Sequence, residues 1–311
     1  MKDSTEDSGF LRDVLAGLAA TPKALSPKYF YDAEGSRLFE AITRTAEYYP
    51  TRTETALLKS LAPEFAARVP DGAVLVEFGS GSATKTRLLL DALPRLHAYV
   101  PIDISPEPLE ASARGLRAAY PTLRVEPLEA DFTRAVELPE VARGRPRVGF
   151  FPGSTIGNFS PAERREFLVN ARRLLGDGAL FLVGFDLVKA PEILEAAYDD
   201  AAGVTAAFNR NLLTRINREL GGDLDPAAFD YEAVWNADRS RVEAHLVSRA
   251  DQTLSVGGRS FAIAAGDSVH TENAYKFTRE SLAAVADDSG WRVDTLWISP
   301  PPRFAEALLR A

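Results

Sequence analysis

Three short segments in the first half of the chain carry residue types suited to holding a nucleoside. Val76-Glu77-Phe78-Gly79-Ser80-Gly81 reads as a strand running into a tight turn. Glycine in such a turn lets backbone approach a ligand with no Cβ in the way. Asp103 closes the next predicted strand, where a carboxylate can accept both ribose hydroxyls, and Asp131-Phe132 follows the third, placed for an adenine amino group and a ring contact. Any one of these could be a plain turn or a helix cap. Glycine, acid and acid at the ends of successive strands together fit a ligand bound where the order of an open sheet reverses. Thr84 stands where a dinucleotide fingerprint needs a small third residue, and Lys85-Thr86 lacks the spacing of a phosphate-binding loop. The remaining E-x-G-x-G pattern sets the Glu77 carboxylate beside the turn, which suits a cationic sulfonium better than a phosphate.

The elements that must position these residues alternate. Strands are predicted over 73–78, 98–103, 123–128, 147–151 and 179–186, with helices over 84–93, 106–119 and 161–175 between them. Near-continuous apolar strands separated by helices indicate a parallel sheet covered on both faces. The fold class is therefore α/β, a doubly wound Rossmann-like core. Ahead of it, helices are predicted over 10–20, 36–43 and 53–68, after a polar tail of eight residues. After Asp186 the alternation stops. Residues 191–220 read as helical, and strands follow over 231–235, 241–248 and 253–263, the last turning at Gly257-Gly258. A helix over 278–289, a strand over 291–298 and a final strand or helix over 303–310 resume the first pattern. The predicted organisation is an N-terminal helical segment (1–65) covering the active site, a cofactor-binding core (66–190), an inserted mixed α+β substrate domain (191–277) and a return to the core (278–311).

Composition removes several kinds of chemistry. The 311 residues contain no cysteine, so thiol nucleophiles, disulfides and Cys-based metal sites are excluded. His97, His245 and His270 are too far apart in sequence to suggest a metal centre, so no metal is expected. The net charge of -8, without a basic block, argues against nucleic acid as a partner. No apolar run reaches the ~18 residues that would span a membrane. The expectation is a cytoplasmic monomer acting on a small molecule.

Longer blocks carry a resemblance. Pro27-Lys28-Tyr29-Phe30-Tyr31-Asp32, Glu47-Tyr48-Tyr49-Pro50-Thr51-Arg52-Thr53-Glu54, Gly153-Ser154-Thr155-Ile156-Gly157-Asn158 and the stretch from Tyr198-Asp199-Asp200 through Gly203 to Phe208-Asn209 occur in this order. With them, from about Leu11 to Phe277, the chain resembles the S-adenosylmethionine-dependent amino-acid Nα-methyltransferases typified by the histidine enzymes of ergothioneine biosynthesis. The resemblance implies transfer of three methyl groups to the α-amine of L-histidine, giving hercynine. It implies S-adenosylmethionine contacts at Tyr48, Gly79, Gly81, Lys85, Asp103, Asp131, Phe132 and Thr155. It implies amino-acid contacts at Tyr31, Phe39, Tyr48, Gly153, Asn158 and Tyr198, with Tyr31 and Asn158 nearest the chemistry, and an imidazole-clamping carboxylate at Glu272. Two positions depart from the pattern. Ala274 stands where the family usually has Ser, and Ala244 where it often has Met.

Methyl transfer needs a neutral amine aimed along the carbon–sulfur axis, so orientation and desolvation outweigh acid or base strength. The Asn158 amide and Tyr198 hydroxyl can fix a carboxylate without adding charge, and Tyr31 can accept a hydrogen bond from the amine. Phe39 and Tyr48 offer faces to a growing methylammonium, at ~0.5–2 kcal/mol per contact. Glu272 favours a side chain bringing N–H donors. Both departures remove atoms from the side-chain end, which leaves tryptophan or arginine as alternative substrates. A non-catalytic ligand sensor is the reading from a different class.

Overall fold

The computed structural model describes residues 6–81 and 83–311. These residues divide into two compact units, the first from 6–49 and 189–275, the second from the described residues of 50–188 and 276–311. In chain order the first unit contributes α1 (Glu6–Ala19), β1 (Lys23–Ala24) and α2 (Ala33–Ile42). The second runs α3 (Pro50–Ala66), β2 (Val74–Phe78), α4 (Thr84–Ala92), β3 (Ala98–Asp103), α5 (Pro106–Ala119), β4 (Arg124–Val125), β5 (Leu128–Glu129), β6 (Arg147–Phe151), α6 (Pro161–Leu175) and β7 (Leu180–Asp186). The first unit resumes with α7 (Pro191–Tyr198), α8 (Val204–Leu220), β8 (Phe229–Asn236), β9 (Arg241–Ser248), β10 (Gln252–Val256), β11 (Arg259–Ile263) and β12 (Ser268–Tyr275). The second closes with α9 (Arg279–Asp287), β13 (Arg292–Ile298) and β14 (Phe304–Arg310).

In the second unit the sheet order is β13-β14-β7-β6-β2-β3-β4, with β5 also on β3. The strands from β4 to β7 are parallel, and β14 enters antiparallel between β7 and β13. Every residue of β2 and β7 is buried, as expected of strands covered on both faces. The strand order reverses between β2 and β6, so their C-terminal ends flank the crevice where doubly wound sheets take ligands. The strand expected over 123–128 is reduced to two pairs of residues, β4 and β5, on either side of Pro127, whose nitrogen has no proton for a ladder. The element near the end is a strand. α3 packs Leu57, Leu58, Leu61 and Phe65 into one cluster with Phe304 and Leu308, so the expected 1–65 segment divides and its last helix belongs to this core.

The first unit has a four-stranded sheet in the order β1-β12-β9-β8 and a separate β10-β11 hairpin. The hairpin turns at Gly257 and Gly258, both at positive φ (57° and 73°), as a two-residue turn of mirror-image type requires. β12 lies beyond the three delimited strands, at the end of the stretch 229–272 read as strands with hairpin turns, and extends it to Tyr275. α1 begins at Glu6, inside the stretch read as a tail; the first five residues of that tail lie outside the described residues. The helical stretch expected over 191–220 breaks into α7 and α8 at Asp199–Gly203. There Gly203 takes a left-handed conformation (φ 72°) and the Asp200 carboxylate accepts the backbone N–H groups of Val204 and Thr205 at 2.9 and 2.7 Å. No helix among the described residues is long and apolar enough to cross a membrane.

Candidate active site

The residues singled out by sequence fall into two groups, one in each unit. In the second unit Gly79 sits at φ 71°, just past the end of β2, and donates its N–H to Ile102 O at 2.9 Å. A Cβ there would lie 3.6 Å from the Phe132 ring, so the bare backbone and the ring do come together. Asp103 ends β3 and accepts the Ser105 N–H at 2.9 Å. Burial raises its carboxyl above the usual range, although that hydrogen bond opposes the shift. Asp131 is exposed and caps its own turn, accepting the Thr133 N–H at 3.0 Å and its hydroxyl at 2.5 Å. Gly81 is exposed, with nothing within 4 Å of where a Cβ would point.

Glu77 does not face a ligand as the E-x-G-x-G reading supposed. Its carboxylate is turned into the core, accepting the hydroxyls of Thr86 and Tyr99 at 2.8 Å each. Burial outweighs those bonds and raises its pKa to about 7. The Tyr99 hydroxyl also lies 3.3 Å from Ser80 Oγ. The acid therefore braces the β2–α4 turn from beneath.

After β6, Gly153 (φ 82°) and Ser154 (φ 53°) turn the chain into a single 3-10 turn, Thr155–Asn158. Thr155 donates its hydroxyl to Pro152 O at 2.9 Å, and the Asp186 N–H reaches Ser154 Oγ at 2.9 Å. Asn158, at the end of the turn, is partly buried. The Gly153 N–H donates to Glu54 Oε1 at 2.6 Å, and the other oxygen of Glu54 is ion-paired with Lys85 in the first turn of α4. Glu54 is wholly buried, and its Oε1 lies 2.6 Å from where a Cβ on Gly184 would be, so glycine in the middle of β7 makes room for a carboxylate. Glu306, the ladder partner of Gly184, lies beside it; burial, then the charge of Glu54, hold its carboxyl well above the usual range, so it keeps its proton. Sequence reasoning passed over Glu54 and Glu306. The signal was present: Glu54 lies on the stripe of Leu57, Leu58 and Leu61, and Glu306 inside the run from Phe304 to Leu309.

The first unit holds the other group. Tyr31 meets Phe39 edge-on at 5.6 Å between ring centroids, Phe39 meets Tyr48 at 6.3 Å, and Tyr48 meets Tyr198 at 6.1 Å. Four predicted residues, from the chain's first fifty residues and from α7, thus form one line of rings, backed by Phe208 of α8. The backbone carbonyl of Tyr198 accepts the hydroxyl of Tyr231 on β8 at 2.7 Å. Burial raises the Tyr231 phenol far above its ordinary range, and the charge of Glu272 adds to the shift. Glu272 stands opposite Ala244 in the β12–β9 ladder, and Ala274 opposite Val242. Directly opposed residues share a face, so Glu272, Ala244 and Ala274 lie on one side of this sheet. His245 and His270 oppose each other on the other side, with ring centroids 5.2 Å apart.

Comparison with known proteins decides what this arrangement belongs to. The model of a family described as histidine-specific, S-adenosylmethionine-dependent methyltransferases matches residues 10–311. The chain belongs to this family. It is 44% identical to the histidine N-alpha-methyltransferase of Mycolicibacterium smegmatis over 96% of this chain and 93% of that one. It is 40% identical to the protein of the same name from Mycobacterium tuberculosis, over 97% and 96%. Among solved structures, an S-adenosylmethionine-dependent methyltransferase from Clostridium acetobutylicum superposes with a TM-score of 0.48 at 10% identity, over 83% of this chain and 91% of that one.

The second unit fits the family's cofactor. Gly79 presents bare backbone beside a phenylalanine ring, Asp103 offers a carboxylate at the next strand end, and Lys85 places an ammonium in the first turn of α4. Glu54 holds that ammonium in place, and the protonated Glu306 adds no second charge beside it.

Proposed function

We propose that this member of the family converts L-histidine to its Nα,Nα,Nα-trimethyl derivative, hercynine, as the first step of ergothioneine biosynthesis. The observation that carries the reading is the placement of Glu272 on the sheet face of Ala244 and Ala274, where its charge bears on Tyr231, whose hydroxyl is bonded to the Tyr198 carbonyl. An anionic acceptor on that face prefers a side chain with N–H donors, because an unmatched carboxylate costs several kcal/mol, roughly, when desolvated.

S-adenosylmethionine, when bound, supplies an electrophilic methyl on a cationic sulfonium. The chain's part is to hold it and to present a neutral amine. Gly79, Lys85, Asp103, Asp131, Phe132 and Thr155 are assigned to the cofactor, with Tyr48 and Gly81. Asn158, Gly153 and Tyr198 are assigned to the amino-acid carboxylate, and Tyr31 to the amine as a hydrogen-bond acceptor. The aromatic line of Tyr31, Phe39 and Tyr48 suits an amine whose bulk and charge grow through three rounds. The reading carries a monomer in the cytoplasm with a small-molecule substrate and no nucleic-acid partner; the net charge of -8 supports the last.

Incubation with S-adenosylmethionine and twenty amino acids in competition, read by mass spectrometry, tests it. Histidine gaining three methyl groups ahead of the others is the expected result; no methylated histidine at high enzyme concentration overturns it. Ala244 and Ala274, small and buried beside Glu272, favour one second reading, a bulkier side chain such as that of tryptophan or arginine. The same competition separates the two.

A further inference from the structure

Glu272 reaches its face through an irregularity in β12. On β9, Val242, Ala244 and Leu246 alternate onto the buried side. Their partners on β12 are Ala274, Glu272 and Val269, and these are not evenly spaced. Between His270, which opposes His245, and Glu272, which opposes Ala244, lies one residue with no partner: Thr271. It is the extra residue of a β-bulge. Strict alternation from Val269 would put Thr271, Asn273 and Tyr275 on the buried side and turn Glu272 and Ala274 away with His270. A one-residue shift exchanges every side chain between faces. The bulge is therefore what brings Glu272 beside Ala244.

Thr271 is fully buried and tied down from α8. Its hydroxyl donates to Asn209 Oδ1 at 2.6 Å, with the carbonyl oxygen of Ala244 3.1 Å away. Asn209, also fully buried, donates its amide to Thr205 O at 3.1 Å. Thr205 gives both its N–H and its hydroxyl to Asp200 Oδ1 at 2.7 Å each. Although burial opposes it, these bonds hold the Asp200 carboxyl below its ordinary range. The sequence block that begins at Tyr198 and ends at Asn209 thus runs, bond by bond, from the start of α8 to the unpaired residue of β12.

We propose that Thr271 is a positioning residue for Glu272, and that its hydrogen bond to Asn209 fixes the bulge that aims the carboxylate at the substrate side chain. The inference rests on the assignment of Glu272 to the amino-acid side chain. Thr271→Val keeps the shape and removes the hydroxyl, whereas Thr271→Ser keeps the hydroxyl. These variants, Glu272→Ala and the Thr271→Val/Glu272→Ala double variant are assayed on whichever amino acid the wild type consumes fastest in the competition. Thr271→Val should raise KM for that amino acid about ten-fold without changing KM for S-adenosylmethionine, and Thr271→Ser should restore it to within about two-fold. The double variant should be no weaker than Glu272→Ala alone, since a residue acting through another adds nothing once that other is gone. Losses that multiply, a serine that fails to rescue, or an equal rise in KM for S-adenosylmethionine overturn the proposal. Should Thr271→Val not fold, Asn209→Ala, which removes the acceptor from the other side, enters the same cycle with the same expectation. A wild type that prefers another amino acid overturns the histidine reading while the cycle still tests Thr271. A wild type that methylates none overturns both.

Discussion

The two sheets solve different positioning problems. In the second unit the candidate site residues stand at strand ends: Gly79 after β2, Asp103 closing β3, Gly153 after β6. Their placement follows from strand length and backbone turns, and the parallel ladder beneath them is apolar on both faces. A carboxylate that enters this sheet must be met inside it. Glu54 is met by Lys85 and the Gly153 N–H, Glu77 by two hydroxyls, and Glu306 by keeping its proton. In the first unit the decisive carboxylate stands mid-strand, with one sheet face buried and the other lined by His245 and His270. There the question is which face, and a single unpaired residue answers it. Strand-end residues are placed by backbone conformation, whereas a mid-strand residue is exposed to any change of register.

The sharpest way to break the comparison is at the Lys85–Glu54 pair. Lys85→Met leaves a buried carboxylate uncompensated and should cost about 3–5 kcal/mol by urea denaturation, with loss of S-adenosylmethionine binding. Adding Glu54→Gln should recover most of the stability but not the binding, as calorimetry would show. Next comes a pair of variants that set the two units against each other. Asn158→Ala should weaken turnover of every amino acid by about 2–3 kcal/mol, roughly fifty-fold in kcat/KM, while Glu272→Ala should weaken histidine selectively by a similar factor. Equal losses on all substrates in the second variant would remove the distinction.

A smaller effect depends on pH. Glu77 has its carboxyl raised from 4.5 to about 7 in the fold, so folding takes up a proton between these values. Stability held at pH 4 is then lost as pH rises from about 4.5 to 7, and stays lost above. Glu77→Gln removes the penalty and should be more stable than wild type at pH 8 by about 2 kcal/mol, and nearly equal to it at pH 4, in paired urea titrations. The smallest expected change is Ala274→Ser, which returns a hydroxyl to the face of Glu272. It should lower KM for histidine about five-fold, or ~1 kcal/mol.

The parallel sheet was legible because its strands are continuous apolar runs between helices, a pattern that needs no knowledge of pairing. The third strand was over-read because Pro127, which interrupts its ladder, sits inside an otherwise suitable stretch. The aromatic residues Tyr31, Phe39, Tyr48 and Tyr198 were named from the resemblance; that their rings form one line is a tertiary fact, since three come from the start of the chain and one from α7. Glu77 was misplaced because sequence shows that an acid precedes the turn and not which way its side chain points. Glu272 was named, but its route was hidden: His270, Glu272 and Ala274 alternate on paper as if they shared a face, and only pairing with β9 shows that Thr271 interrupts them.

The place of β14 has a consequence for how the chain is made. This strand, Phe304–Arg310, fills the edge of β7 that β6 leaves open, yet everything from residue 187 to 303 is synthesised between them. During that interval β7, buried at every position in the finished protein, offers an unpaired apolar edge to other nascent chains. The strands of residues 229–275 pair with one another and, through β12, with the already synthesised β1, so they can fold meanwhile. Translation thus passes through a window in which one unit is ready and the other is held open, and it is there that a chaperone would matter most.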